Sequence, residues 1–179
     1  MLVDWNQIVG QGWTLFLDRD GVINERIVGG YVSDTEQFRL LPGVVEAMAV
    51  FACRFSHIII VTNQQGIGKG LMTFSQLSAI HAMMNDEIAA HGGRVDAIFV
   101  CPQLASDADN YRKPDPRMAY MAQQRYSDID FSKSIMVGDG KIDVEFGRNA
   151  GMNTVFIGGY DETANDCFDT WFDFSKTLK

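Results

Sequence analysis

Polar side chains that could do chemistry follow three short apolar runs of the sequence and one segment ahead of a proline. They are Asp18 with Asp20, Thr62 with Asn63 and Gln64, Lys113 before Pro114, and Asp139 with Asp143. Four carboxylates brought to one place repel one another unless a cation or a shared proton is present. Carboxylate oxygens are hard ligands that suit Mg²⁺ rather than zinc or copper. If the fold collects these residues, we expect a magnesium site beside a hydroxyl and an ammonium group that can bind an anion.

Each group taken alone also has a simpler structural interpretation. The acidic pair before Gly21 can be a turn after a strand, and the polar residues at 62–64 can hydrogen-bond within a loop. The basic pair at 112–113 can be solvated. A helix dipole can explain one of Asp139 and Asp143, although it does not so easily explain both. The combination in chain order, rather than any single group, therefore carries the prediction.

A glycine-rich segment, Gln65–Gly70, invites a nucleotide-binding interpretation that its residues do not support. Asn63 stands where a P-loop needs its first glycine, and Gly70 stands where it needs a serine or threonine. Leu71 replaces the last glycine of the dinucleotide fingerprint. We interpret the segment as a flexible loop that carries one cation, Lys69.

Apolar, β-rich runs alternate with helical patterns along the chain. The predicted strands are 13–17, 57–61, 96–100, 134–137 and 153–157, and the predicted helices are 42–54, 73–91, 116–126 and 143–150. Near-continuous apolar strands are typical of a parallel sheet covered on both faces. We therefore expect a doubly wound, mainly parallel α/β sheet of the Rossmann-like kind. Ligands of such sheets bind beyond the carboxyl ends of the strands, where the polar groups above must lie.

Length and composition favour one soluble domain. The 179 residues, with a net charge of −8, suit a single domain over 1–179, with a core at about 13–159 and a tail at 160–179 that packs on it as a short strand and helix. An acidic chain is a poor partner for nucleic acid or an anionic membrane. Three cysteines without short spacing, and no leader or membrane-spanning run, favour a reducing cytoplasm. We expect a monomer, with a dimer through the tail as the alternative.

The polar groups, in this order, resemble the motifs of the haloacid dehalogenase (HAD) superfamily of phosphohydrolases. The matching motifs are Asp18-x-Asp20, Thr62, Lys113 and Gly138-Asp139-x-x-x-Asp143. The strings 16–24, 61–70 and 112–114, with Gly30-Tyr31-Val32 and Leu41-Pro-Gly-Val44, are similar to one branch of that superfamily. That branch holds the heptose 1,7-bisphosphate 7-phosphatases and the histidinol-phosphatases.

The resemblance implies a role for each motif residue. Asp18 is expected to be the nucleophile that forms an aspartyl-phosphate, and Asp20 the general acid and base. For its first role Asp20 must be protonated, which a nearby carboxylate or a dry site can favour. Thr62 and Lys113 are expected to bind the phosphoryl oxygens. The expected Mg²⁺ ligands are Asp18, Asp139 and the backbone carbonyl of Asp20, with Asp143 acting through water.

The loops indicate what kind of phosphate ester fits. Segments 22–41 and 101–112 are long enough for flaps but too short for a cap domain, so we expect a capless, open site. Arg26, Lys69 and Arg112, helped by Asn63 and Gln64, are candidates to bind the rest of the substrate, including a distal phosphate. The alternative is that the three cations are merely solvated.

The expected substrate is D-glycero-D-manno-heptose 1,7-bisphosphate, which would place the enzyme in the synthesis of nucleotide-activated heptose for lipopolysaccharide. Histidinol phosphate is the first alternative; a polynucleotide 3′-phosphatase or a non-enzymatic phosphate receiver is less favoured. One departure concerns the zinc loop that the branch often carries before Arg112. Only Cys101 matches its ligands in this sequence, and one thiolate cannot hold a tetrahedral zinc, so no zinc is expected.

Overall fold

Six strands form one parallel sheet in the computed structural model, which describes residue 8 and residues 12–178. The strands are β1 (Thr14–Leu17), β2 (His57–Asn63), β3 (Ala97–Cys101), β4 (Ser134–Gly138), β5 (Asn153–Ile157) and β6 (Asp166–Phe168). Their spatial order is β3-β2-β1-β4-β5-β6, and every neighbouring pair is parallel. The prediction of a doubly wound parallel α/β sheet is confirmed.

Six α-helices connect or flank these strands. They are α1 (Val44–Arg54), α2 (Gln65–Gly68), α3 (Phe74–Ala90), α4 (Arg117–Arg125), α5 (Lys141–Ala150) and α6 (Trp171–Lys176), and one 3₁₀ turn covers Phe131–Lys133. The capping box predicted at Thr73 is present: its side chain accepts from the Gln76 N–H, and the Gln76 side chain accepts from the Thr73 N–H.

The helices differ from the prediction in several places. The helix expected from residue 42 begins at Val44, because Gly43 has a φ of +81°, which lies outside the right-handed helical region. Segment 65–70, expected to be a loop, contains the single-turn helix α2. Helix α5 begins at Lys141, two residues earlier than expected, and the Asp143 side chain caps it by accepting from the N–H of Gly140 at 3.2 Å.

Alternating residues of the central strands build a separate core on each face of the sheet. Leu15 and Leu17 of β1 belong to the larger core, whereas Phe16 packs into the smaller one with Ile59 and Val61 of β2. All five side chains are fully buried. Burial on both faces is why these strands read as continuous apolar runs rather than as an alternating pattern.

The C-terminal segment continues the sheet and covers one face of it. Strand β6 pairs with β5, and α6 packs against α1, where Trp171 and Phe174 contact Phe51. Residues 1–12, for which the sequence suggests no role, lie outside the described part of the chain except Ile8 and Gly12. Ile8 is fully buried in the larger core.

The carboxyl ends of β1, β2 and β4 meet where the chain order of the sheet reverses. Strand β1 is followed by β2 on one side and has β4 on the other, and the N–H of Asp18 donates to the carbonyl of Val137 at 3.0 Å. This is the position where open α/β sheets bind ligands. Between residues 12 and 178 the connections contain loops and helices but no additional folded domain, and no helix there has the length and apolarity to cross a bilayer.

Candidate active site

Three carboxylates converge at the switch point of the sheet. Asp18, Asp139 and Asp143 each offer an oxygen, and these oxygens lie within 4.8 Å of one another. Glycines make this approach possible: a Cβ at Gly21 would lie 2.0 Å from Asp139 Oδ2, and one at Gly138 would lie 2.0 Å from the Cβ of Asp143. A compact set of oxygen ligands with excess negative charge fits a hard divalent cation.

Lys113 is the buried counter-charge of this cluster. Its Nζ lies 2.7 Å from Asp18 Oδ1 and 2.6 Å from Asp143 Oδ1, and its side chain is 1% exposed. Burial opposes the charged form of Lys113, but the two carboxylates outweigh it and raise its pKa. Burial also raises the pKa of Asp18 to about 6; Lys113 opposes this shift, and the neighbouring carboxylates add to it.

Asp139 has a second cation beside it. Arg26, a predicted substrate contact, places Nη1 3.1 Å from Asp139 Oδ2, and the Arg26 side chain is 61% exposed. Burial and the charge of Asp18 raise the pKa of Asp139, while Arg26 lowers it. The exposure of Arg26 leaves its guanidinium free to change partners when an anion enters the cavity.

The surroundings of Asp20 lower the pKa of its carboxyl group, whereas those of Asp18 raise the pKa of that residue. Arg19 Nη2 donates to both oxygens of Asp20 at 2.7 and 2.8 Å, and the amides of Asn24 and Gln64 donate at 2.9 and 2.8 Å. Burial raises the pKa of Asp20, but the charge and hydrogen bonds of Arg19, with those of the two amides, lower it overall. The sequence led us to expect conditions that keep Asp20 protonated; in the folded protein the direction is the reverse, because four donated hydrogen bonds stabilise the carboxylate.

Arg19 contacts the site through Asp20, and the sequence analysis did not single it out. It is 0% exposed, and its other side-chain partner is His81 Nε2 at 3.3 Å. Burial and the Arg19 charge lower the pKa of His81 to about 4, so the imidazole is neutral and its Nε2 accepts from the guanidinium. An arginine between two acids directly after a buried strand is the signal that could have identified it.

Polar residues at the end of β2 divide between the cavity and the protein interior. Thr62 lines the cavity, and Gln64 Nε2 donates to its Oγ1 at 2.9 Å. Gln64, a predicted substrate contact, is 1% exposed, and its amide is turned towards Asp20 and Thr62. Asn63 lines the cavity and clamps the backbone of Lys113: its Oδ1 accepts from the Lys113 N–H at 3.0 Å.

A cavity of about 370 Å³ opens above these groups. Its floor contains Asp18, Asp20, Thr62 and Lys113, and its walls contain Arg26, Tyr31, Lys69 and Arg112. The sequence reasoning did not single out Tyr31 as a site residue. The Tyr31 hydroxyl accepts from Gln65 Nε2 at 3.2 Å, and Lys69 Nζ lies 5.4 Å from the centre of the ring. The structure therefore brings the three predicted cations to one cavity, where Arg26 also contacts the acidic cluster through Asp139.

Proteins of known family are similar to this chain in both sequence and fold. A family model described as "HAD-hyrolase-like" matches residues 110–167. A D-glycero-alpha-D-manno-heptose-1,7-bisphosphate 7-phosphatase of Mycobacterium tuberculosis is 37% identical over 176 residues, which cover 94% of this chain and 93% of that protein. A D-glycero-beta-D-manno-heptose-1,7-bisphosphate 7-phosphatase of Bordetella bronchiseptica is 36% identical over 87% of this chain and 92% of its own length.

A solved structure extends the similarity to three dimensions. It is the D,D-heptose 1,7-bisphosphate phosphatase of B. bronchiseptica, complexed with magnesium and phosphate; the TM-score is 0.84 at 30% identity, with 93% of this chain and 97% of that chain covered. The phosphatase of Burkholderia thailandensis superimposes with a TM-score of 0.66 at 27% identity, over 92% of this chain and 96% of that one. The chain belongs to the HAD-like phosphatase family that includes the heptose-1,7-bisphosphate 7-phosphatases.

Proposed function

We propose that this protein is a Mg²⁺-dependent phosphomonoester hydrolase that removes the 7-phosphate of D-glycero-D-manno-heptose 1,7-bisphosphate through an aspartyl-phosphate. The observation that carries the proposal is the cavity itself. Its floor joins a carboxylate cluster to Lys113 and Thr62, and its walls carry three cations. A substrate with one phosphate at the reacting centre and a second phosphate some distance away matches this distribution of charge.

Asp18 is the proposed nucleophile. One oxygen attacks phosphorus, the bond between phosphorus and the sugar oxygen breaks, and the phosphoryl group is left on the Asp18 carboxylate. Mg²⁺ would be held by Asp18, Asp139 and the carbonyl of Asp20, with Asp143 acting through water, and would reduce the repulsion between carboxylate and phosphate. The ion pair between Lys113 Nζ and Asp18 Oδ1 aligns the carboxylate before substrate binds.

Asp20 is the proposed general acid and base. The incoming phosphate is anionic, so its approach raises the pKa of Asp20 and favours proton uptake. Asp20 then gives that proton to the departing sugar oxygen and later takes one from the water that cleaves the aspartyl-phosphate. Its hydrogen bonds to Arg19, Asn24 and Gln64 hold the carboxylate in one orientation for both steps.

The phosphoryl oxygens are proposed to bind Thr62 and Lys113. Because Gln64 Nε2 donates to Thr62 Oγ1, the hydroxyl hydrogen of Thr62 is left to donate into the cavity. Lys113 supplies a positive charge within reach of Asp18. Donors fixed in place before the reaction stabilise charge on the transferred group without reorganisation.

The distal phosphate is proposed to bind between Lys69, Arg112 and Arg26. Hydrogen bonds from Gln65 and Lys69 lower the pKa of Tyr31, and the charges of Lys69 and Arg112 act in the same direction. The basic side chains therefore surround the Tyr31 hydroxyl, away from the floor. We further propose that one domain over 1–179 works as a cytoplasmic monomer on this small phosphorylated sugar, with no nucleic-acid or membrane partner.

Phosphate release from a small set of esters tests the proposal. The set is heptose 1,7-bisphosphate as each anomer, heptose 7-phosphate and histidinol phosphate, each with and without Mg²⁺. We expect kcat/KM for the bisphosphate to exceed that for the two monophosphates by about tenfold or more, because only the bisphosphate engages the distal cations. A preference for histidinol phosphate would overturn the substrate assignment.

The nucleophile is tested separately with a matched pair of variants. Asp18→Asn should lower kcat by roughly 1,000-fold or more, because an amide cannot form the acyl phosphate. Asp128→Asn is the control: Asp128 is also in an ion pair, with His57, but its side chain is 67% exposed and lies outside the cavity. Full activity in Asp18→Asn would refute the mechanism.

A further inference from the structure

The loop that carries Arg112 and Lys113 has no regular structure of its own. It runs from residue 102 to residue 116, between β3 and α4, without a helix or a strand. A loop of this length keeps one conformation only if side chains tie its parts together. The position of Lys113 in the cavity therefore depends on the contacts that hold this loop, as well as on Asn63, which hydrogen-bonds to the Lys113 backbone.

Arg117, the first residue of α4, makes several contacts with this loop. Its Nη1 lies 2.7 Å from Asp109 Oδ1, its Nε lies 3.0 Å from both oxygens of Asp115, and its Nη2 donates to the carbonyl of Asn110. The guanidinium also lies 5.9 Å from the centre of the Tyr111 ring. One planar fork of donors thus joins the residues on both sides of Lys113, a geometry that the single ammonium of a lysine cannot reproduce.

Gln103 connects the same part of the loop to β3. Its Nε2 donates to the carbonyl of Asp109 at 3.0 Å, and its Oε1 accepts from the N–H of Tyr111 at 3.1 Å. The Tyr111 hydroxyl donates to the carbonyl of Val100 in β3 at 3.2 Å. The segment that Arg117 joins is therefore fixed relative to the sheet, and with it the chain leading to Lys113.

We propose that Arg117 is a positioning residue that holds the 102–116 loop in the conformation that presents Lys113 to Asp18. Arg117 does not line the cavity, so it acts through the backbone on either side of Lys113. A small displacement of a group that binds the reacting phosphoryl costs rate out of proportion to the stability lost. The inference rests on the proposed function only for its effect on turnover; the effect on loop order is independent of it.

Hydrogen exchange followed by mass spectrometry tests the structural part on the full chain. In Arg117→Met we expect exchange in peptides spanning 103–113 to be faster by about tenfold or more, because local opening becomes easier. Peptides spanning β1 and β4 should be unchanged. Arg117→Lys should recover only part of the protection, and full recovery would show that charge rather than the fork is sufficient, which would overturn the proposal.

Turnover of p-nitrophenyl phosphate tests the functional part without assuming the natural substrate. We expect kcat in Arg117→Met to fall about ten- to hundredfold, while KM changes less. Arg125→Met is the matched control on the same helix, since Arg125 stacks on Tyr126 and is exposed; it should match the unaltered protein in both measurements. A loosened loop with unchanged kcat, or unchanged exchange in Arg117→Met, would overturn the proposal.

If the unaltered protein hydrolyses no phosphomonoester, the proposed function fails, and the exchange result alone decides the role of Arg117.

Discussion

Asp18 and Asp20 lie two residues apart, yet their carboxyl groups have opposite pKa shifts. Burial beside other carboxylates raises the pKa of Asp18 to about 6. Asp20 is also buried, but the charge and hydrogen bonds of Arg19 lower its pKa. Two carboxyl groups with different environments can take different roles in one reaction. The two shifts run opposite to the proposed roles of nucleophile and general acid, so those roles require a divalent cation beside Asp18 and an anionic phosphate beside Asp20 to reverse them.

The raised pKa of Asp18 predicts that magnesium affinity depends on pH. A protonated carboxyl does not ligate Mg²⁺, so affinity should be constant above neutral pH and should fall as the pH drops through about 6. Below that value we expect a loss of about tenfold per pH unit for one competing proton. Isothermal titration calorimetry with Mg²⁺ at pH 7.5, 6.5 and 5.5 measures this. A constant affinity across the series would contradict the prediction.

The buried arginine next to Asp20 gives a second prediction at this scale. In Arg19→Met, Asp20 loses its two hydrogen bonds from Arg19 Nη2 and the largest influence that lowers its pKa. We expect kcat to fall about tenfold or more, with KM little changed, since the general acid–base group loses its fixed orientation.

A second arginine separates this effect from general destabilisation. Arg94 is partly buried and donates to Asp96 and to the carbonyls of Phe55 and Ser56, away from the cavity. Arg94→Met should lower the thermal midpoint and leave kcat unchanged at temperatures where the protein is folded. An equal loss of kcat in both variants would mean that Arg19 acts only through stability.

At the scale of elements, the turn after β1 determines how closely two active-site loops approach. Gly21 has a φ of +90°, and its N–H donates to the carbonyl of Asn24 at 2.7 Å, which closes the turn. The missing side chain of Gly21 leaves the space that Asp139 Oδ2 occupies. The close approach of Asp139 to the β1 loop therefore requires a residue without a Cβ at this position.

Gly21→Ala should therefore weaken Mg²⁺ binding. The added methyl group would lie 2.0 Å from Asp139 Oδ2, so that carboxylate must move out of the cluster. Gly151→Ala is the matched control: Gly151 ends α5 with a φ of +83°, and a Cβ there meets nothing within 4 Å. Both variants should lose about 1 kcal/mol of unfolding free energy from the positive φ, while only Gly21→Ala loses metal affinity. Equal Mg²⁺ affinities in calorimetry would show that the close approach is not needed.

At the scale of the molecule, the C-terminal helix α6 contacts the loop that follows β1. Trp171 of α6 is 3% exposed, and its Nε1 donates to the carbonyl of Val22 at 2.7 Å. Val22 directly follows the turn at Gly21. The tail is therefore joined to the segment that carries the proposed nucleophile, as well as to the core around Phe51.

Trp171→Phe separates the hydrogen bond from the packing. The phenyl ring keeps most of the apolar contact but leaves the Val22 carbonyl without its donor, which should cost about 1–3 kcal/mol of unfolding free energy. Chemical denaturation measures this loss. Trp171→Ala should cost about 3–5 kcal/mol because it also leaves a cavity. An unfolding free energy that is unchanged in Trp171→Phe would contradict a separate contribution from the hydrogen bond.

The sheet was predictable from the sequence because it depends on local pattern, and the motif residues could be placed at its edge from their order along the chain. Apolar runs of strand length mark β1, β2 and β4, and polar residues just beyond parallel strands must share one edge. Helix starts were less predictable: α1 begins at Val44 because of the backbone of Gly43, which the composition of the helix does not reveal.

Contacts between residues far apart in the chain determine side-chain partners and pKa values that the motifs do not specify. Arg19, Gln64, Tyr31 and Arg117 have their roles because of partners far away in the chain or across a folded loop, such as His81, which is 62 residues from Arg19. The protonation state of Asp20 likewise depends on donors from β2 and from the turn. Residue order along the chain specifies which groups reach the edge of the sheet, whereas burial, charge and hydrogen bonding in the folded protein set the pKa and orientation of each group.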